Sequence, residues 1–298
     1  MTKEAFVALV TCFNDDETVN YAATRAQVRR QVAAGNNIMC AGTNGDFTAL
    51  TFDEKVRLCA EVAEEVDGKA KIIVNAGMPA TFETILLAKE FEKIGVEGIA
   101  VITPFFIQCT QDGMIRHFST VADAVSTPVY LYDIPARTQN HIEPETAKTL
   151  ASHGNIAGIK DSGGAQDTLE AYLQVSKEVP GFDVYSGPDH LVLWSFQNGA
   201  KGCISGLGNV MPETLADITR AFNAGDTAAA EKAQEAFGAF RKDLYTLGYP
   251  PALVKRSLYL MDNSVGASRQ PALLPDPEQD RKIAALLVKH GLMAEANA

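Results

Sequence analysis

At 298 residues with 46% hydrophobic content, the chain can bury the core of one large α/β domain or of two ordinary ones. Its 26 basic residues against 37 acidic ones leave a net charge of −11, which offers no electrostatic footprint for nucleic acid or for an acidic membrane surface. No apolar run approaches the roughly 20 residues of a membrane span. The five cysteines (Cys12, Cys40, Cys59, Cys109, Cys203) are odd in number and free of C-x-x-C pairs, so they read as reduced packing residues of a cytoplasmic protein. The apolar stretch 6–10 is too short for a signal-peptide core, and Asp15-Asp16-Glu17 follows it closely. The five histidines lack H-x-x-x-H or H-E-x-x-H spacing, and no metal centre is expected.

Short apolar runs alternate with amphipathic segments of helix length. Strands are expected at 6–13, 37–43, 71–77, 98–103, 128–134, 156–161, 183–186 and 202–205. Helical patterns lie between them, among them 53–66, 81–94, 144–152 and 212–223, with Pro144 and Pro212 marking first turns. Near-continuous apolar strands point to an all-parallel sheet covered by helices. Eight such units favour a closed α/β barrel of the (β/α)₈ TIM type over an open sheet. Residues 1–224 would form the barrel. Residues 225–298 would be a C-terminal helical extension of the same domain, with helices at 226–247, 251–261 and 277–292.

In such a barrel, chemistry belongs at the carboxyl ends of the strands. The unusual residues fall there. Thr43-Asn44 follows strand two and Phe105-Phe106 follows strand four. Tyr132 lies late in strand five with Arg137 just beyond, and Lys160 ends strand six. Positions 186–189 follow strand seven, and Ser205-Gly206 close strand eight. Partial desolvation favours the neutral form of a lysine, and the neutral amine attacks a ketone to make a Schiff base. Taken alone, strand six better suits a lysine that snorkels out to a carboxylate such as Asp161. Several polar groups converging on one mouth reverse that preference.

The glycine-framed turn Gly42-Thr43-Asn44-Gly45-Asp46-Phe47 lets backbone N–H groups approach a small anion, although a plain loop turn has the same composition. On strand five, Tyr130 and Tyr132 share a face, and Pro135 then forces the chain out. Tyr130 suits a packing role. Together G-T-N-G-D, Y-x-x-P-x-R-T and G-I-K-D-S, spread over strands two, five and six, resemble the dihydrodipicolinate synthase / N-acetylneuraminate lyase family. Ile102-Thr103-Pro104, Ser186-Gly187-Pro188-Asp189 and the Gly-Cys-Ile-Ser segment at Gly202–Ser205 support the match, which spans essentially the whole chain.

The resemblance implies a (β/α)₈ barrel, class I Schiff-base chemistry with pyruvate, no metal or other cofactor beyond a covalent imine on Lys160, and a homotetramer. It assigns Lys160 to the imine, Tyr132 to proton transfer and Thr43 to a hydrogen bond with that phenol. The Thr43-Asn44 backbone would hold the pyruvate carboxylate, with Ile204 lining the pocket. Arg137 matches the arginine that binds the carboxylate of the acidic aldehyde in the synthases. Phe106 is expected to line the substrate pocket, where those synthases carry the second tyrosine of a pair, the one that completes a proton relay, and a phenylalanine cannot transfer a proton.

Weighing Phe106 above Arg137, the sequence favours a lyase that cleaves a 2-keto-3-deoxy sugar acid or a 4-hydroxy-2-oxo acid to pyruvate and an aldehyde. Condensation of pyruvate with aspartate semialdehyde is the second reading. A catalytically silent pyruvate-binding paralogue is the third. The partners expected are pyruvate and a small aldehyde or 2-oxo acid, with neither nucleic acid nor membrane.

Overall fold

Eight parallel strands pair in sequence order, and β8 (Gly202–Ser205) closes the ring by pairing with β1 (Glu4–Ala8). Between them run β2 (Asn37–Cys40), β3 (Ile72–Asn75), β4 (Gly98–Ile102), β5 (Val129–Asp133), β6 (Ile156–Asp161) and β7 (Asp183–Ser186). This computed structural model describes residues 2–272 and 275–294. The barrel is the one the alternating pattern implies. Its helices are α1 (Tyr21–Ala34), α2 (Phe52–Val66), α3 (Thr81–Ile94), α4 (Gln111–Asp123), the short α5 (Pro135–Thr138) and α6 (Pro144–Ala151). They continue with α7 (Gln166–Glu178), α8 (Val192–Gln197) and α9 (Pro212–Ala224). The extension adds α10 (Thr227–Tyr245), α11 (Pro250–Met261) and α12 (Pro277–Lys289).

Local chemistry explains these boundaries. Thr51 and Glu54 form a reciprocal capping box at the start of α2, and Asp53 and Glu54 place negative charge in its first turn. Leu58, Cys59, Val62 and Val66 then recur at helical spacing and are buried against the barrel. Pro144 and Pro212 sit in the first turns of α6 and α9, as expected.

The first two strands are shorter than their apolar runs. β1 stops at Ala8, yet Leu9, Val10, Cys12 and Phe13 are all buried. Hydrophobicity reports burial, not ladder pairing, and residues 9–13 are covered in part by the extension helices. β2 ends at Cys40 because Ala41 adopts a left-handed φ of 52° and turns the chain out of the sheet.

Inside the barrel, Phe6, Tyr185 and Tyr130 pack edge to face, with ring centroids 5.7 and 5.8 Å apart. They plug the ring at its lower end. A Cβ at Gly202 would lie 2.9 Å from the Tyr185 ring and 2.3 Å from the Glu4 carbonyl oxygen, so the plug requires glycine there. A second core joins the outward faces of β1 and β8 to the extension: Val7 and Cys203 pack with Phe237, Phe240, Leu253, Leu258 and Leu287. The C-terminal helices are therefore part of the barrel's wall.

Candidate active site

Lys160 is the penultimate residue of β6 and is 4% exposed. Its Nζ sits 4.0 Å from the Tyr132 ring centroid and 3.7 Å from Met39 Sδ. Among the described residues no carboxylate pairs with it. Asp161 faces the other side of the strand, where it accepts from the Gly163 N–H at 2.7 Å and the Thr168 hydroxyl at 3.1 Å. The snorkelling alternative is therefore not what the structure adopts.

Parallel pairing of β5 with β6 sets Tyr132 directly beside Lys160. The Tyr132 hydroxyl lies 2.9 Å from Thr43 Oγ1, and the tyrosine is 1% exposed. Thr43 opens a single 3₁₀ turn, Thr43–Gly45. That turn is fixed from below, since the Thr11 hydroxyl donates to the Gly45 carbonyl at 2.7 Å. Among the described residues, the backbone N–H groups of Thr43 and Asn44 donate to no partner. Two free N–H groups beside a buried lysine form a small anion cradle. Gly206 shapes it from the β8 side, because a Cβ there would lie 2.7 Å from Asn44 Nδ2.

Thr43, Asn44, Tyr132, Lys160, Ile204 and Arg137 line one cavity of about 180 Å³. Arg137 stacks on the Tyr249 ring, 4.5 Å from its centroid. It pairs with neither Asp133 nor Glu143. Asp133 instead commits its carboxylate to His141 Nδ1 (2.8 Å), the Ile142 N–H (3.1 Å) and the Tyr172 hydroxyl (3.1 Å). The expectation that Phe106 lines the pocket is corrected: it is 87% exposed, has a left-handed φ of 79°, and lies outside the cavity of its own chain.

Sequence reasoning missed several wall residues. Ser162, Arg241, Tyr245, Pro250 and Pro251 also line the cavity, four of them brought in by α10 and α11. Arg241 stacks on Tyr245, and its Nε is buried with no hydrogen-bond partner. Asp189 is held by Ser205 Oγ at 2.5 Å and the Tyr245 hydroxyl at 3.3 Å, and burial raises its pKa against the opposing Ser205 hydrogen bond. The i, i+4 spacing of Arg241 and Tyr245 predicts that they stack on each other but not which surface α10 covers, so no local signal marks them as walls of the site.

Behind the catalytic strands, Asp133 and Asp161 are fully buried neighbours in register. Burial pushes the Asp161 carboxyl up to about 6, opposed by the Gly163 N–H and reinforced by the Asp133 charge. A carboxyl raised above its unfolded value near 4 destabilises the fold once ionised. The penalty is absent below about pH 4 and complete above about pH 6, on the order of 3 kcal/mol. The hydrogen bond to Asp133 raises the His141 pKa, and that stabilisation is lost as pH rises through its folded value. Both effects lower stability toward alkaline pH. Asp161→Asn should therefore raise Tm over wild type at pH 8 and lose that gain at pH 4, read by circular dichroism. An equal difference at both pH values would assign the effect to packing.

No group of three His, Cys, Asp or Glu among the described residues could hold a metal ion. No helix of the described residues is long and apolar enough to cross a membrane.

Residues 1–290 match the model of the dihydrodipicolinate synthetase family. The chain belongs to that family. It is 33% identical over 296 residues to a 4-hydroxy-tetrahydrodipicolinate synthase of Geobacter metallireducens, covering 98% of this chain and all of the relative. It is 37% identical over 289 residues to the synthase of Corynebacterium aurimucosum, covering 96% and 94% of the two chains. The crystal structure of a prophage protein of the same family from E. coli K12, in complex with pyruvate, superposes with a TM-score of 0.92 at 27% identity, covering 98% of this chain and 99% of that one. Members of the dihydrodipicolinate synthetase family are class I pyruvate-dependent enzymes that make or break carbon–carbon bonds. They hold pyruvate as a Schiff base on a lysine, without a metal cofactor.

Proposed function

We propose that the chain joins pyruvate to a small acidic aldehyde through an imine on Lys160, and that the aldehyde is aspartate semialdehyde, condensed toward 4-hydroxy-tetrahydrodipicolinate. The observation that carries this reading is the shared cavity: a buried unpaired lysine, the Thr43–Tyr132 hydroxyl pair and a free guanidinium at Arg137 line one wall system. Thr43 and Asn44 N–H groups take the pyruvate carboxylate. Tyr132 moves the proton to and from the aldol oxygen, with Thr43 as its hydrogen-bond partner. Arg137 takes the carboxylate of the aldehyde.

The preference for the synthase over the sugar-acid lyase reverses the weighting that Phe106 suggests. Phe106 lies outside the cavity of its own chain and bears on the reaction only through another copy, so the choice of substrate rests on what this chain itself places at the site. Arg137, by contrast, is at the site and has no acid partner among the described residues. The similar curated proteins named above carry the synthase name. The lyase reading retains specific support from the Phe105-Phe106 pair and from Arg241, a second guanidinium in the cavity whose Nε has no partner among the described residues. Phe82, Phe106 and Ile107, exposed at 72%, 87% and 70%, support a homotetramer in which such apolar side chains are covered.

Two reactions measured on one preparation decide the substrate: condensation of pyruvate with aspartate semialdehyde, and pyruvate release from 4-hydroxy-2-oxo and 2-keto-3-deoxy acids. A larger kcat/KM for the cleavage overturns the synthase reading. A protein that gains no pyruvate-derived mass on borohydride reduction overturns both and leaves the silent paralogue. Arg137→Ala should raise KM for the acidic partner by about one to two decades, the value of a charge-assisted bond of roughly 1.5–3 kcal/mol, with imine formation intact. An unchanged KM would show that Arg137 only braces its loop against Tyr249.

A further inference from the structure

The helix α11 touches both anion-holding parts of the cavity, and it belongs to the extension rather than to the barrel repeat. Lys255, on its second turn, is 2% exposed and donates from Nζ to Asp46 Oδ2 at 2.7 Å. Its ammonium also sits over the Phe13 ring, 4.2 Å from the centroid. Asp46 is the residue that ends the Thr43–Gly45 turn, in a left-handed conformation with φ 52°, and its N–H donates to the Thr43 carbonyl at 3.3 Å. A charge pair whose lysine is buried and whose carboxylate is half-buried thus anchors the very turn whose free N–H groups line the cavity with Lys160. At the start of the same helix, about one turn before Lys255, Pro250 and Pro251 line the cavity. Tyr249, immediately before them, carries the stacked guanidinium of Arg137.

An α-helix is stiff over this length, so it holds its two points of contact with the site at a fixed separation. The left-handed φ of Asp46 is uncommon for a residue with a Cβ, although Asp adopts it more readily than most, and the contact with Lys255 favours it. A buried ion pair is weak evidence for stability, but removing one partner strands the other charge in the interior. The pair therefore fixes one geometry of the turn and penalises every other.

We propose that Lys255 and Tyr249 are positioning residues through which α11 aligns the two carboxylate-binding elements of the site: Lys255, through Asp46, sets the turn for pyruvate, and Tyr249 sets Arg137 for the aldehyde. This inference rests on the assignment of those elements made above. It adds that the extension, not the barrel alone, determines affinity for each substrate, and that the two contributions are separable along one helix.

The test measures three quantities on each variant: half-saturation of imine formation by pyruvate with borohydride trapping and intact mass, KM for aspartate semialdehyde at saturating pyruvate, and Tm. For a wild type that cleaves 4-hydroxy-2-oxoglutarate instead, KM for that acid replaces the second. Lys255→Met should raise pyruvate half-saturation by roughly tenfold or more, the scale of effect of a displaced binding group, and change the second KM by less than about twofold. Lys255→Arg, which keeps the charge, should recover most of the loss. Tyr249→Leu should raise the second KM by about fivefold and leave pyruvate half-saturation unchanged. If Lys255→Met does not fold, Asp46→Asn keeps the volume and one acceptor and carries the same forecast. Variants that lower Tm with neither saturation constant changed, or that move both constants together, overturn the inference. Absence of imine formation in the wild type would instead overturn the function proposed above, so the two failures are distinct.

Discussion

Lys160→Ala should yield a folded protein that forms no adduct with pyruvate under borohydride and loses more than about 10⁴-fold in turnover. The imine is the electron sink for either direction of the reaction, and no other described lysine lines the cavity. The forecast for stability is unusual for a residue that is 4% exposed. A buried amine with no carboxylate partner costs stability when charged, and this offsets the methylene packing lost on truncation. Tm should stay within about 5 °C of wild type, a change of roughly 1–2 kcal/mol for a chain of this size. A trapped adduct on Lys201 or Lys255 in the variant would move the imine elsewhere and sink the assignment.

Tyr132→Phe should lower kcat by about 10²–10⁴-fold while pyruvate still forms its imine. The substitution removes one hydroxyl and keeps the ring against which Lys160 Nζ rests at 4.0 Å. Packing is nearly conserved, so the Thr43 hydroxyl, 2.9 Å away, is the group left without its partner. Thr43→Val, which removes the other half of the pair, should act in the same direction with a smaller effect, because the phenol remains. A kcat for Tyr132→Phe within about threefold of wild type at saturating substrate would mean that the proton travels through water instead.

The barrel and the centre of the site were legible because each rests on a local rule. Strand residues alternate between faces, so Tyr132 and Lys160, late in neighbouring parallel strands, meet at the mouth. The same alternation excludes Asp161 as the lysine's partner, since adjacent residues face opposite ways. What was not legible depends on distant chain. Amphipathic spacing says that a helix buries a face but not what it covers, so Arg241, Tyr245 and the two prolines of α11 could not be placed over the mouth. Apolar content made β1 too long because residues 9–13 are buried without a ladder. Phe106 was judged by the hydroxyl it lacks. Its left-handed turn, which carries it out of its own cavity, has no signature in the residue type.

The aromatic plug formed by Phe6, Tyr185 and Tyr130 makes the cavity a blind well. Lys160 and Tyr132 lie deep in it at 4% and 1% exposure, whereas Arg137 stands exposed at the rim. Traffic through a well with one opening is single file. The ketone must descend first and become anchored before its carbonyl partner can sit above it, and a partner that arrives early blocks the shaft. Such a molecule should compete with pyruvate, and an excess of it should slow turnover in a way that added pyruvate relieves. On the proposed function, the order of arrival follows from the imine that forms at the bottom of the well, and the three rings below it, none of which touches a reacting atom, leave no second way in.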